Sequence, residues 1–381
     1  MLSLSYGKVK RKSIDTVEGL LPESFDGYNI IEKDDIVLRL TDLQNDHTSL
    51  RVGLAEERGI ITSAYLTIRN RSNFCPKYLY YYLHSFDIAK GFYGMGAGVR
   101  QGLNWDGVKW LKILAPSVPE QERIAAFLDA ECAEIDAVLE KTRASIEEYK
   151  KLKQAVITQA VTKGIRGDRP MKNSGIEWIG EIPAEWDVIR NAFLYKEKSR
   201  LPEENAVSLS LSQVDGLIAT DDMKERSLKT STYDGWKQVR TNDLVLNRFK
   251  GHLGVLFAAN IEGMVSFHYG VYEPLRQFDS KFFEYLYHSD AYKAILGLKS
   301  NGMTIGLQNL SNQNFYSVYS LYPPEEEQQE IIQYLDDKCS GIDALIVQKQ
   351  EHFTEIENYK KSLIYEYVTG KKEVKTSVLA D

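Results

Sequence analysis

A chain of 381 residues, 43% hydrophobic and 27% charged, is long enough for two or more domains with their own cores, and no apolar run reaches the roughly eighteen residues of a membrane span. Three cysteines, Cys75, Cys132 and Cys339, exclude a disulfide scaffold or a zinc knuckle and fit a reducing cytoplasm, and MLSLSYGKVKRK places its basic cluster behind the apolar stretch, the reverse of a secretory signal. The net charge of −7 excludes a polycationic DNA coat but leaves room for local basic patches, because residues 119–164 and 326–381 carry −2 and −5, the whole of the deficit.

Residues 1–118 read as a mixed α/β head. Strand-like runs (IIEKDDIVLRL, AYLTIRN) alternate with turn residues, followed by the helix-like YLYYYLHSF. Phe92-Tyr93-Gly94-Met95-Gly96 fits the glycine-rich turn with which many methyltransferases hold S-adenosylmethionine, but a helical segment precedes it instead of a strand. No Asn-Pro-Pro-aromatic or Asp-Pro-Pro-aromatic tetrapeptide occurs, so a plain loop is the expectation. There is no P-loop, and the six histidines show no metal-binding spacing. His84 and its counterpart His288, each on an aromatic helix, are expected to be packed.

Residues 119–165 read as one long helix. Ile124, Phe127, Leu128, Ile135, Val138, Leu139, Ile146, Tyr149, Leu152 and Val156 recur at helical spacing. Pro116 precedes the helix and Gly164 stands near its end. Residues 166–180, rich in Gly and polar residues, read as a linker. Residues 181–323 form a second mixed head (NDLVLNRF, GVLFAA, KFFEYLYHSDAYKAIL), residues 324–371 a second long helix, and 372–381 a tail.

The second half repeats the first. Pro116–Gly164 returns at Pro323–Lys371 with a constant offset of 207 and no gap, so Leu128-Asp129 meets Leu335-Asp336 and Cys132 meets Cys339. The stripe recurs as Ile331, Tyr334, Leu335, Ile342, Leu345, Ile346, Phe353, Ile356, Tyr359 and Leu363. The heads are weaker copies, with offsets drifting between 204 and 208. A helix of this length, roughly 65 Å at 1.5 Å per residue, needs a partner along its whole stripe. The other copy is the expected one, antiparallel, through Ile124, Leu128, Ile135, Leu139, Ile146 and Val156 on one helix and Ile331, Leu335, Ile342, Ile346, Phe353 and Leu363 on the other. The fold class expected is therefore α+β: two mixed α/β domains separated by two long helices in an antiparallel coiled coil, with an internal two-fold pseudo-repeat. Two separate helical hairpins are the alternative. The copies also predict that the first head starts late: Met1–Ser5 aligns at Leu209–Ser212, and the counterpart of the segment holding Ile182-Pro183 and Trp186 is missing, as in an N-terminally truncated product or one begun at an internal start.

At this point the phrases are similar to those of a known family. Glu120-Gln121-Glu122-Arg123-Ile124-Ala125-Ala126-Phe127-Leu128-Asp129, its copy Glu327-Gln328…Leu335-Asp336, and Met171-Lys172-Asn173-Ser174-Gly175-Ile176-Glu177-Trp178-Ile179-Gly180 before Ile182-Pro183 and Trp186 resemble the specificity (S) subunit of type I restriction-modification enzymes over nearly the whole chain. Asp35–Asp46 resembles one subtype of target-recognition domain. The resemblance implies a non-catalytic, cytoplasmic subunit. Each head would read half of a split double-stranded DNA target. The helices would dock two adenine-N6 methyltransferase (M) subunits, and restriction/translocase (R) subunits would join them. S-adenosylmethionine, ATP and Mg would belong to those partners, with no cofactor or metal on this chain. A rod of roughly 65 Å is comparable to two turns of B-DNA at about 34 Å each. A truncated or silent donor copy of such a subunit, or a coiled-coil adaptor that does not read DNA, are the alternatives. Base edges and phosphates are met by loop-borne Arg, Lys, Asn and Gln. The candidates in the first head are Lys8, Lys10, Arg11, Lys12, Arg39, Arg100 and Gln101. Those in the second are Asn247, Arg248, Lys250, His252, Thr304, Gln308 and Asn309.

Overall fold

A computed structural model describes residues 1–12, 24–43, 45–46, 48–95, 102–213, 215–223, 233–300 and 309–375. It divides into two compact units, residues 1–144 with 349–381 and residues 145–348, so each long helix gives one half to each unit.

Unit 1 holds strands β1 (Leu2–Ser5), β2 (Lys8–Arg11), β3 (Asn29–Ile31), β4 (Ile36–Leu38), β5 (Val52–Leu54), β6 (Gly59–Ile61) and β7 (Leu66–Ile68), then helices α1 (Pro76–Ile88), α2 (Trp105–Val108) and the start of α3 (Val118–Lys163). β1 alternates buried Leu2 and Leu4 with half-exposed serines, the period of a one-sided strand. It turns into β2 through Tyr6 and Gly7, both at positive φ as a tight two-residue hairpin requires. β3 pairs with β6, and β4 lies between β5 and β7. Pro76 opens α1 where a backbone N–H would have no helical partner.

Unit 2 continues with β8 (Met171–Asn173), β9 (Glu181–Pro183), β10 (Asp187–Arg190), β11 (Tyr195–Glu197), β12 (Leu209–Ser212), β13 (Gly216–Ala219), β14 (Lys237–Val239), β15 (Leu244–Asn247), β16 (Leu256–Ala258), β17 (Gly263–Val265), β18 (Tyr269–Pro274), α4 (Ser280–His288), α5 (Asp290–Lys299), α6 (Asn312–Tyr316), β19 (Tyr319–Tyr322) and the start of α7 (Glu325–Val368). Unit 1 is repeated here pair by pair: β12 with β13, β14 with β17, and β15 between β16 and β18. The repeat reaches single bonds. Asp34 and Asn242, just before the central strand of each sheet, both take a left-handed backbone, which Asp and Asn tolerate best after glycine. The next residue, Asp35 or Asp243, accepts a hydrogen bond from the N–H three residues back, Glu32 or Arg240, at 2.8 Å in each case. Unit 2 has more besides: β10 pairs with β19 and β11 is added beside β18. Its core gathers Trp186, Tyr195, Tyr272, Phe282, Phe283, Phe315 and Leu321 around Ile331 and Leu335.

Both long helices bury a seam with alternating steps of four and three: Leu128, Cys132, Ile135, Leu139 and Ile146 on α3, Leu335, Cys339, Ile342 and Ile346 on α7. Within unit 1, Phe127 meets Tyr367, Asp136 meets Lys360 and Arg143 meets Phe353, so residue numbers rise on one helix as they fall on the other. Unit 2 has the same antiparallel sense, with Ile157 and Val161 against the start of α7 and Lys153 bound to Asp343. Each unit is thus α+β, a mixed head packed with an antiparallel pair of helix halves. Four positions of the ten-residue stripes face outwards: Val138 with its counterpart Leu345, and Leu152 with its counterpart Tyr359, are 41–56% exposed. A straight helical count includes them; only the narrower seam separates them from the buried set.

Candidate nucleic-acid interface

In unit 2 the end of β15 runs into Asn247-Arg248-Phe249-Lys250. The Asn247 side-chain oxygen accepts from the N–H groups of Phe249 (3.1 Å) and Lys250 (3.2 Å), a local turn that presents both side chains to solvent. Leu310 N–H donates to the Arg248 carbonyl at 2.9 Å, which brings Asn309 beside the turn. The Phe267 and His268 rings lie 3.9 Å apart, tilted by 40°, with Phe249 5.6 Å from His268. Of the candidates, Lys250 and Asn309 are exposed and Asn247 is half-buried. Arg248 is held inwards: its guanidinium pairs with Glu197, which also binds Lys237 (2.9 Å) and the Asn312 amide. Burial raises the Glu197 pKa, but the Lys237 and Asn312 hydrogen bonds and the Arg248 charge outweigh it and hold the carboxyl below its usual value. The Arg248 Nε is buried and has no hydrogen-bond partner among the described residues.

Unit 1 repeats the junction. Leu103 N–H donates to the Leu40 carbonyl at 2.8 Å, joining the segment after the glycine loop to the end of β4, where Arg39 lies 3.8 Å from Asp46. Lys8, Lys10 and Arg11 stand exposed on β2 and Lys12 half-exposed beyond it; Lys8 and Lys10 share one face. Arg11 is engaged with Glu57. Arg100, Gln101, Thr304 and Gln308 lie outside the described residues, as does the His252 side chain.

Sequence reasoning missed Arg51. It is fully buried, and its guanidinium donates to the carbonyls of Arg39 (3.0 Å), Thr41 (2.8 Å), Asp42 (3.4 Å) and Asp46 (2.5 Å) and to the Tyr93 hydroxyl (3.1 Å). One side chain thus fixes the 39–46 loop that carries Arg39. An arginine at the start of a short apolar strand (RVGL) was the only available signal. His84 and His288 are packed as expected, His84 stacked on Tyr80 and His288 edge-on to Phe257. Phe92 of the glycine-rich turn is buried against Phe86, in the core.

The arrangement offers cations and amides on short, fixed turns, the chemistry of phosphate and base-edge contacts. Among the described residues no three His, Cys, Asp or Glu side chains are grouped to hold a metal, and no helix is long and apolar enough to cross a membrane.

No family model matches the chain. A putative type I restriction enzyme MjaX specificity subunit from Methanocaldococcus jannaschii is 25% identical over 317 residues, 81% of this chain and 70% of that protein. A chain solved in work on complex assembly and conformational transition of the type I R-M system has the same fold, with TM-score 0.67 and 15% identity over 91% of this chain and 84% of that one. The HsdS subunit from Thermoanaerobacter tengcongensis aligns over 90% of this chain and 82% of its own at TM-score 0.47 and 16% identity. In sequence the chain is similar to a type I restriction enzyme specificity subunit, and in fold to a chain from a type I R-M system.

Proposed function

We propose that the chain reads a bipartite double-stranded DNA target in the cytoplasm, one half per head, as the specificity subunit of a type I restriction-modification system. It supplies no catalytic group; two methyltransferase subunits dock on the helix pair and restriction subunits join them. S-adenosylmethionine, ATP and Mg are held by those partners. The observation that carries this reading is the uneven repeat. The helices are duplicated down to their ion pairs, Asp136–Lys360 in unit 1 and Asp343–Lys153 in unit 2, each residue 207 positions from its counterpart. The outward apolar residues are duplicated too: Val138 and Tyr359 in unit 1, Leu345 and Leu152 in unit 2. Two identical partners require two equal surfaces. The turns at the ends of β4 and β15 differ completely, Arg39-Leu40 against Asn247-Arg248, as two different half-sites require.

The test is a gel shift with the purified chain and its methyltransferase partner, on DNA whose target has been found by mapping methylated adenines in a genome carrying the gene. Arg248→Ala weakens cognate binding at fixed salt. Lys250→Ala weakens binding to all sequences and lowers the salt slope by about one. Shifts independent of DNA sequence and of both residues refute DNA reading and favour the adaptor.

A further inference from the structure

The two heads close equivalent loops after their central strands, and one loop carries more chain. Arg39 N–H donates to the Arg51 carbonyl and Asn247 N–H to the Val255 carbonyl, both at 2.9 Å. Residues 40–50 in unit 1 therefore stand where 248–254 stand in unit 2, and the first loop is four residues longer. Val255 is an apolar core side chain, 1% exposed. Its counterpart Arg51 is 0% exposed and uses every donor it has. Nε donates to the Tyr93 hydroxyl, Nη1 to the carbonyls of Arg39 and Thr41, and Nη2 to those of Asp42 and Asp46. A guanidinium buried in this way is stable only while the carbonyls surround it, so the longer loop cannot open without stranding a charge. Leu43, fully buried, ties down the middle of the loop.

What the loop then presents is polar but not cationic. Thr41, Asn45 and Thr48 are exposed. Residues 40–50 contain no Lys or Arg and two acids, Asp42 and Asp46. The Asp46 carboxylate accepts from the N–H groups of Thr48 (3.2 Å) and Ser49 (2.9 Å), and its bonds from Ser49 hold its pKa well below the usual carboxylate range, so it stays charged. Such a loop is repelled by phosphates and gains from base edges instead. One residue is set up for that. The Asn45 amide N–H donates to the Asp42 carboxylate at 2.8 Å, which fixes the orientation of the amide. Its carbonyl oxygen and one N–H have no partner among the described residues. An acceptor and a donor on one amide match N6 and N7 of adenine in the major groove.

We propose that Asn45 reads an adenine in the half-site of the first head, an assignment that rests on the heads reading DNA, and that Arg51 is the positioning residue that holds Asn45 in register. Asn45 hydrogen-bonds the adenine edge. Arg51 touches no DNA and acts through the loop backbone. Unit 2, with Val255 and the shorter loop, has no asparagine within residues 248–254, so the contact belongs to one half-site alone.

Competition binding at fixed salt tests this, with the chain, its methyltransferase partner and duplexes carrying the mapped target, in which each A·T pair is replaced in turn by G·C. Asn45→Ala lowers cognate affinity about tenfold and makes the complex indifferent to one A·T pair, while the affinity ratios at all other positions are kept. Arg51→Val relaxes that pair and its neighbours in the same half-site, leaves the other half-site read as before, and speeds hydrogen exchange at residues 40–50 but not in β4 or β7. Where Arg51→Val destabilises the whole head, Arg51→Lys, which keeps the cation with fewer donors, is read in its place. The role of Asn45, an exposed residue, is overturned if its variant keeps the parent's ratio at every A·T pair. The role of Arg51 is overturned if its variants leave that pair read as before or weaken both half-sites alike. A parent complex that binds all the duplexes equally refutes DNA reading itself, a different result from a discriminating parent whose Asn45→Ala form discriminates as well.

Discussion

Glu120 and Glu327 occupy the same place in the two copies, one turn into each long helix, and they should respond very differently to the same substitution. Glu327 is fully buried. One carboxylate oxygen lies 2.6 Å from Arg169 Nη2, the other accepts from Trp186 Nε1 at 2.8 Å, and the Arg169 guanidinium rests 5.4 Å from the centre of the Trp186 ring. Glu120 is half-exposed and has no ion-pair partner among the described residues. Truncating one member of a buried pair leaves the other charge buried and costs about 3–5 kcal/mol, whereas an exposed pair or a free surface acid is worth about 0–1 kcal/mol. The favourable placement of an acid in a first helical turn, about 0.5 kcal/mol, is common to both and cancels in the comparison. Glu327→Ala should therefore destabilise unit 2 by about 3 kcal/mol more than Glu120→Ala destabilises unit 1. Because two units need not unfold in one transition, the assay is native-state hydrogen exchange, read at β15 and β18 for one unit and at β4 and β5 for the other. Glu327→Met combined with Arg169→Met should recover much of the loss, since neither charge then remains buried. Equal losses of protection in the two single variants would sink the reasoning.

Two further outcomes follow from the same comparison of copies. Gly164 and Gly370 end the two helices at positive φ, so alanine costs about 1 kcal/mol at either. At Gly164 an added Cβ would also lie 1.9 Å from Arg169 Nη2 and 2.7 Å from Glu327 Oε1, while at Gly370 it meets nothing. Gly164→Ala should thus cost at least about 2 kcal/mol more by denaturant titration; similar midpoints for the two variants would count against the Arg169–Glu327 contact. Burial lowers the pKa of both His84 and His288 to about 4, and nearby lysines (Lys360, Lys293) push the same way. The unfolded state, titrating near 6.5, binds more protons between these values, so the stabilisation is complete above pH 6.5 and is lost as pH falls towards 4. At pH 5 each histidine costs its unit about 1–2 kcal/mol, and Gln at both positions should flatten this part of the pH profile; an unchanged profile refutes the assignment.

What the sequence revealed and what it hid divide along physical lines. The helices were legible because one local period, kept over 46 and 44 residues, fixes both the element and its buried face. Their antiparallel sense was also legible, since a repeat with intervening heads leaves that pairing simplest. The outward turn of Val138, Leu152, Leu345 and Tyr359 was not, because a period of 3.6 and a seam of 3.5 diverge only slowly along the chain. Within the heads, strand positions showed in the apolar runs. The bonds that shape the turns did not, because Arg51 reaches Asp46 through a loop, and Glu197 reaches Arg248 and Asn312 across 51 and 115 positions. Long-range polar contacts leave no periodic trace, so an arginine that binds a backbone and one that binds a ligand look alike in sequence.

Comparison within the chain recovers part of what a single copy conceals. The lysine–aspartate pair across the helices joins Asp136 to Lys360 and Asp343 to Lys153. Duplication of the sequence gives this reciprocity, because Asp343 is the copy of Asp136 and Lys360 the copy of Lys153. Each pair alone is partly exposed and contributes about 0–1 kcal/mol, too little to set the register. Their value is diagnostic: the register that satisfies one satisfies the other, and the seam residues Ile135 and Ile342 then fall at equal depth, 9% and 8% exposed. Where the copies agree in bonds, the geometry is shared by duplication. Where they disagree, as at buried Glu327 against half-exposed Glu120, each head has bonds of its own.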